Sequence, residues 1–355
     1  MRIYGLQALV SVVIFSLAFT SYEGTKVSSV KREKVEFSIS ESEHKVDVMI
    51  GGKLVTTYCW PENVFKPVLW PVRTLTGTEI TRGFPLKPRE GERNDHIHQV
   101  GLWLNYGNVN GFDFWGNGST GGKSENGGVI YHLGINKAAG GRGEGLLSVR
   151  AVWKDPSGKE LLDEKTEFYF QTYSQYYSID RITTLSALSH DISMKDTKEG
   201  MFAIRVARQL ELPSKEDVPL LDSSGKPGTE KAMENRNVTG NYRSSEGITG
   251  DAVWGTRARW MALYGVVGNE KVSVIICDHP ENPSYPTFWH ARGYGLFSAN
   301  PLGGRDFTNG KEVVNFSIPA GKSVTFRYRT IITSGIHLND EEINSLADDF
   351  AGEYK

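Results

Sequence analysis

Only two cysteines, Cys59 and Cys277, occur in 355 residues, which excludes a zinc-ribbon type of metal site. Export would let the two pair, but in a domain this size they read as independent buried residues. The chain has no surplus of positive charge: Lys and Arg are scattered and the formal net charge is −2, so no nucleic-acid or other polyanion partner is expected. Beyond the N-terminus no stretch reaches the roughly 18 to 20 uninterrupted apolar residues that a spanning helix needs. A G-x-S-x-G elbow, a Walker loop, a Rossmann fingerprint and an H-E-x-x-H helix are all missing, which removes serine hydrolases, nucleotide enzymes and zincins. No repeat of propeller or solenoid period is present either.

What the chain does have begins with a leader. Residues 1–24 carry Arg2, an apolar run from Leu6 to Phe19, then small and polar residues, the form of a secretory signal peptide, with a retained anchor as the alternative. Without a Cys just after that run, a lipoprotein anchor is not expected. Residues 25–34 read as a polar linker, and residues 35–355 as one domain, with two sub-sandwiches as the alternative. The localisation that follows is periplasmic or extracellular.

The 39 Gly, 15 Tyr, 16 Phe and 8 Trp favour twisted sheets and aromatic-lined loops over helix bundles. Val35, Phe37 and Ile39 alternate with polar residues, and Gly51-Gly52 divides two β-prone runs as a hairpin turn does. Residues 60–93, rich in Pro, read as loop or edge strand, and residues 107–145 as glycine-rich loop around a short strand carrying His132. Strands resume at LLSVRAVW, EKTEFYFQTY, YYSIDRITTLSAL and MFAIRVARQLEL. Residues 213–250 read as an insertion, followed by paired strands in TRARWMALYGVV and VSVIICD. In SVTFRYRTIIT, Val324, Phe326, Tyr328 and Ile332 share one face while Arg327 and Arg329 share the other. Asn339 or Asp340 caps one short helix bearing Ile343, Leu346, Ala347 and Phe350. Roughly fifteen strands without βαβ alternation predict an all-β fold, a large antiparallel sandwich.

Three constellations carry candidate chemistry. In RNDHIHQVGLWLNYGNVNGFDFWGNG, residues 93–118, His96 and His98 stand two apart, so on a strand both rings would project from one face. They could ligate a divalent metal, with a third group from His132, His290, Asp95, Glu246 or Asp113, or they could bind substrate and move protons near neutral pH; both readings stay open. In PTFWHARGYGLFSANPLGG, His290 and Arg292 are again two apart, and Arg292 should meet a carboxylate, from a ligand or from Asp95 or Asp113. NYRSSEGITGDAVWGTRARW mixes Glu246 with stacking surfaces as sugar sites do. Lys198 and Glu199, just before a strand, could reach a site or decorate an edge.

The segments DHIHQVGLW, NVNGFDFW, DTKEGMFAIRVA, SSEGITG, WGTRARW and HPENPSYPTFWHARGYGLFSANPLG together make the chain resemble the uncharacterised exported family catalogued as "methane oxygenase PmoA". Gln99 departs from that pattern, where many members have a further His. The particulate methane oxygenase subunit of that name is an integral membrane protein, so methane oxidation is not what the resemblance implies. It implies a galactose-mutarotase-like supersandwich and a link to sugar metabolism. The expectation is an exported carbohydrate-active protein, acting on a sugar or a modified, keto-type glycoside by hydrolysis, elimination or epimerisation. Its small-molecule or oligosaccharide substrate would meet His96, His98 and His290 as proton-transfer groups and Glu246 as their acid or base partner. Arg93 and Arg292 would hold anionic or hydroxyl groups, and Trp103, Trp115, Trp254 and Trp289 would shape the pocket. Asp95, Asn105, Asp113, His132, Arg257 and Asn300 complete the expected contacts. No cofactor is required, a divalent metal at His96 and His98 being the one considered. A non-catalytic glycan-binding protein and a histidine-ligated metal oxygenase or isomerase are the alternatives.

Overall fold

The computed structural model describes residues 32–119 and 121–354; the leader at 1–24 and most of the linker lie outside the described residues. The chain opens as a meander of β1 (Val35–Ser40), β2 (Lys45–Ile50) and β3 (Lys53–Cys59). Gly51 and Gly52 have φ of 58° and 75°, the left-handed pair that a two-residue hairpin needs, so the turn read from the sequence forms there. The Pro-rich segment after it is not all loop. It contributes β4 (Val68–Val72), which lies inside a sheet between β3 and β5 (Leu102–Tyr106).

Four long antiparallel strands follow: β6 (Val129–Gly140), β7 (Glu144–Lys154), β8 (Glu160–Thr172) and β9 (Tyr176–Ala187). The strand expected around His132 is thus twelve residues long. Next come β10 (Ile192–Met194) and β11 (Gly200–Arg205), then, within the expected insertion, the small hairpin β12 (Pro219–Leu221) and β13 (Pro227–Lys231). The remaining strands are β14 (Asn241–Ser244), β15 (Trp260–Val267), β16 (Glu270–Asp278), β17 (Phe288–Ala291), β18 (Leu296–Asn300), β19 (Phe316–Ile318) and β20 (Ser323–Thr333). A four-residue helix, α1 (Gly304–Phe307), and the terminal α2 (Asp340–Gly352) complete the chain.

Two eight-stranded antiparallel sheets carry the fold, in the orders β1-β2-β3-β4-β5-β11-β18-β17 and β14-β15-β16-β20-β9-β8-β7-β6. The fold is an all-β antiparallel sandwich. Residues directly opposite in neighbouring strands share a face, so register sorts side chains into rows. Leu104, Phe202, Ala299 and Trp289 form one row of the first sheet. They point at the second sheet, where Phe202 stacks on Tyr328 at 4.9 Å. The alternate row, Trp103, Ala203, Ser298 and His290, faces outward. The segments 60–67, 73–100 and 107–119 cover that outer face, and with β4 and β5 they bury a second apolar cluster that includes Val64, Val68, Val100, Trp103 and Trp115.

On the far side, α2 covers the outer face of the second sheet through Ile343, Ala347 and Phe350. The helix is capped as its sequence predicts: Asn339 accepts from the Glu342 N–H, and Glu342 accepts from the Asn339 N–H. Arg329, on the polar face of β20, is only 2% exposed because both ends of its guanidinium fork meet Asp180 at 2.7 Å beneath that helix. Cys59 and Cys277 are both free. Among the described residues no helix is long and apolar enough to cross a membrane.

Candidate active site

The outer face of the first sheet holds a cavity of about 600 Å³ where β5, β11, β17 and β18 meet their loops. Its wall includes Asp95, His96 and His98, then Asp113 and Trp115, Lys198 and Glu199, and finally His290, Arg292 and Tyr294. Four separate segments of the chain therefore converge, and the rings of His96, His98 and His290 share one space.

The first segment is a loop, not the strand that its two-residue spacing suggests. His96 has φ 42°, a left-handed conformation uncommon outside glycine. Arg82 holds it: this guanidinium, 1% exposed, donates to the carbonyls of Asp95 at 2.8 Å, His96 at 2.9 Å and Gln99 at 3.0 Å, and to the Asp95 carboxylate at 3.0 Å. Arg205, at the end of β11, donates to Asp95 at 2.6 Å and to the Gln99 side chain at 2.5 Å. Burial would raise the Asp95 carboxyl, but the Arg205 guanidinium with His96 and Arg82 holds it well below the usual range. Two buried cations and one fixed anion thus lock the loop that presents both histidines. The His96 ring lies flat on Tyr294 at 4.8 Å, and Arg205 lies 4.8 Å from that same tyrosine ring.

His98 is buried, which pushes its ring down to about 2, assisted by the neighbouring Lys66. Lys66 donates to the His98 carbonyl at 2.7 Å and is itself pushed down to about 7 by burial. Asp113 follows β5 and accepts the Trp115 and Gly116 N–H groups, both at 2.8 Å; burial still raises its carboxyl.

His290 lies at 3% exposure in β17, and burial lowers its ring to about 3. Its Nδ1 stands 2.8 Å from the Lys198 carbonyl. A carbonyl only accepts, so Nδ1 carries the proton and Nε2 keeps a lone pair. Glu199 is the next residue along that strap, and burial raises its carboxyl against the pull of Lys198 at 3.8 Å. The strap is held from several sides. Asn300 donates to the Thr197 carbonyl, the Thr197 N–H donates to Tyr106, and the Lys198 N–H donates to Asp306.

Several residues expected at the site lie elsewhere. Trp289 is on the inward row, its Nε1 donating to the Ala258 carbonyl, so parity puts it in the core. Trp103, Asn105 and Asn300 are on the outward row but fully covered: Trp103 donates to Asn105, Asn105 to the Phe114 carbonyl, and Asn300 to the strap. Arg257 is committed to the Ser284 and Pro286 carbonyls and to Glu312. Glu246 is exposed in the turn after β14, accepting from Ser245, and does not line the cavity. His132 belongs to another cleft, stacked on Trp60 at 3.9 Å. Arg93 is bound by Glu211 at 3.0 Å, Glu216 at 2.5 Å and Ser214 at 3.0 Å, so each of its three nitrogens already has a partner within the protein. It lines an adjoining cleft with Trp254. Arg292 is exposed and pairs with neither Asp95 nor Asp113.

Glu199 and Tyr294 are the residues that sequence reasoning undervalued, Glu199 because one Lys-Glu pair before a strand looks like edge decoration. Arg82 and Arg205 went unsuspected, since nothing local marks an arginine as buried. Among the described residues no group of three His, Cys, Asp or Glu side chains is placed to hold a metal ion.

A family model matches residues 45–348. The chain belongs to the family of unknown function DUF6807. No curated protein matches it in sequence. Among solved structures it is similar to galactose 1-epimerase from Lactobacillus acidophilus NCFM, at 10% identity over 87% of this chain and 100% of that one, with a TM-score of 0.36. An α-galactosidase from Geobacillus stearothermophilus shows 10% identity over 84% of this chain and 40% of that one, with a TM-score of 0.34. The Slr1438 protein from Synechocystis sp. PCC 6803 shows 9% identity over 91% and 100%, with a TM-score of 0.29. At scores this low the likenesses do not bear on the site, and the fold class stands on the strand pairing itself.

Proposed function

We propose that this DUF6807 protein is an exported carbohydrate-active enzyme that works by proton transfer, with His290 as base through Nε2 and Glu199 as acid. The observation that carries the reading is the Lys198 strap. Its carbonyl fixes the His290 tautomer at 2.8 Å, and the next residue supplies a carboxyl whose proton is held more tightly than usual. Burial favours the uncharged form of both groups, a neutral imidazole and a protonated carboxyl on one wall, the forms in which a base and an acid begin the reaction. His96 stacked on Tyr294, with Trp115 nearby, supplies apolar surface for a sugar ring, and the remaining polar groups face its hydroxyls. Removal of a proton by His290, with protonation of the departing or developing oxygen by Glu199, serves elimination or epimerisation at a sugar carbon. The same pair serves hydrolysis if His290 takes its proton from water. Support for export comes from the apolar leader at 1–24.

Product analysis and calorimetry on a panel of sugars and keto-glycosides, run in D₂O, test this reading. His290→Gln and Glu199→Gln should each lower turnover by about two to four orders of magnitude while heat of binding persists. Deuterium at a product carbon marks epimerisation, a new C=C double bond marks elimination, and a saturated product pair without carbon-bound deuterium marks hydrolysis. Undiminished turnover in either variant removes that residue from the scheme. Heat without product across the panel makes the protein a glycan binder.

A further inference from the structure

The cavity is not closed at the Arg292 end. A second cleft of about 570 Å³, lined by Arg93, Ser214, Lys215, Asp251 and Trp254, shares Glu216, Arg292 and Tyr294 with the first. The two lobes therefore form one groove, and Arg292 stands at their junction. Its guanidinium carbon lies 5.8 Å from the ring of Trp254, in the second lobe, and 5.8 Å from the ring of Tyr294, which both lobes share.

The other guanidinium groups around the groove are already matched. Arg82 and Arg205 meet Asp95, and Arg93 meets Glu211 and Glu216. Arg292 makes no ion pair or side-chain hydrogen bond with any described residue, although Asp251 and Glu216 line the same cleft. A guanidinium held between two rings with its donors free matches a planar or tetrahedral oxyanion two bonds at a time, a geometry that a neutral hydroxyl does not exploit. Aromatic surface at Trp254 would carry the adjoining sugar ring.

We infer that the groove takes a glycoside longer than one ring, with an anionic substituent, a uronic carboxylate or a sulfate ester, seated on Arg292 at the junction. This rests on the proposal that the first lobe is a sugar site, and it adds the charge and length of the substrate.

Calorimetry of the full mature chain against three matched sets of disaccharides, neutral, uronate-containing and sulfated, tests it in wild type, Arg292→Gln, Arg292→Lys and His290→Gln. Wild type should bind one anionic set about ten- to a hundredfold more tightly than the neutral set, with the preference falling as salt rises. Whether the uronate or the sulfated set gains decides the substituent. Arg292→Gln should abolish the preference, Arg292→Lys should restore part of it, and His290→Gln should keep it while losing turnover. Equal binding of all sets, no binding of any, or a preference that survives Arg292→Gln overturns the inference. Loss of the acid–base reading shows separately, as a His290→Gln variant that turns substrate over normally while the anionic preference stands.

Discussion

Arg82 spends both terminal nitrogens of its guanidinium on a loop of the chain, and that choice decides what the histidines can do. Without a cation at its centre, the carbonyls of Asp95, His96 and Gln99 would converge on one another, and His96 would have no reason to keep φ 42°. Arg82→Met should therefore cost roughly 3–5 kcal/mol, because it strands several buried carbonyls and leaves Asp95 only one of its two arginines, and urea unfolding reads that loss. Arg82→Lys should rescue little, since one ammonium cannot span the fork's positions. A change of under about 0.5 kcal/mol in the Met variant would show that the loop holds itself. At this scale the sequence was legible where spacing matched true strand geometry. His290 sits in β17 on the face that meets the cavity, as its strand context suggests. For His96 and His98 the same spacing argument chose the wrong local structure, although the rings still reach the cavity. Whether Trp103, Trp115 or Trp289 would be wall or core depended on row parity and loop cover, neither of which composition records.

Among the elements, α2 shows how much a short amphipathic segment declares of itself. Its cap and its apolar stripe were both readable, because each rests on contacts within a few residues. Asn339→Ala should lower stability by about 1 kcal/mol through loss of the cap. Asp180→Ala should cost more, roughly 3–5 kcal/mol, since it leaves Arg329 buried at 2% exposure with only Glu353 near it. Chemical unfolding of the two variants gives the order; a cap variant less stable than the ion-pair variant would contradict it. The strap before β11 is the opposite case. Nothing within Asp196–Glu199 shows that Asn300, Tyr106, Asp306 and His290 will all bond to it, because those partners arrive from other strands.

For the molecule as a whole, burying imidazoles has a consequence in acid. His290 is pushed down to about 3 and His132 to about 4, from an ordinary value near 6.5. Below about pH 6.5 the unfolded chain takes up protons that the folded chain refuses, so the unfolded state binds more and stability falls as pH falls. The stabilisation is complete above the ordinary value and declines down to about pH 2, with His98, pushed down to about 2, the last of the rings to take its proton. Urea midpoints should drop between pH 7 and pH 5, before most carboxylates titrate, and His290→Gln should flatten that drop. A midpoint constant over this interval would mean that the rings titrate freely in the fold.

The amino-acid order alone determined the all-β class, the first hairpin, the capped C-terminal helix and the stretches from which the cavity is built. Each of these follows from periods of two or 3.6 residues, or from turn chemistry, which act between near neighbours. Only the folded chain decided which acid joins His290, which arginine remains free, and which indoles are wall rather than core. Those outcomes depend on strand register and on loops crossing the outer face, which pair residues such as Arg205 and Asp95 more than a hundred positions apart.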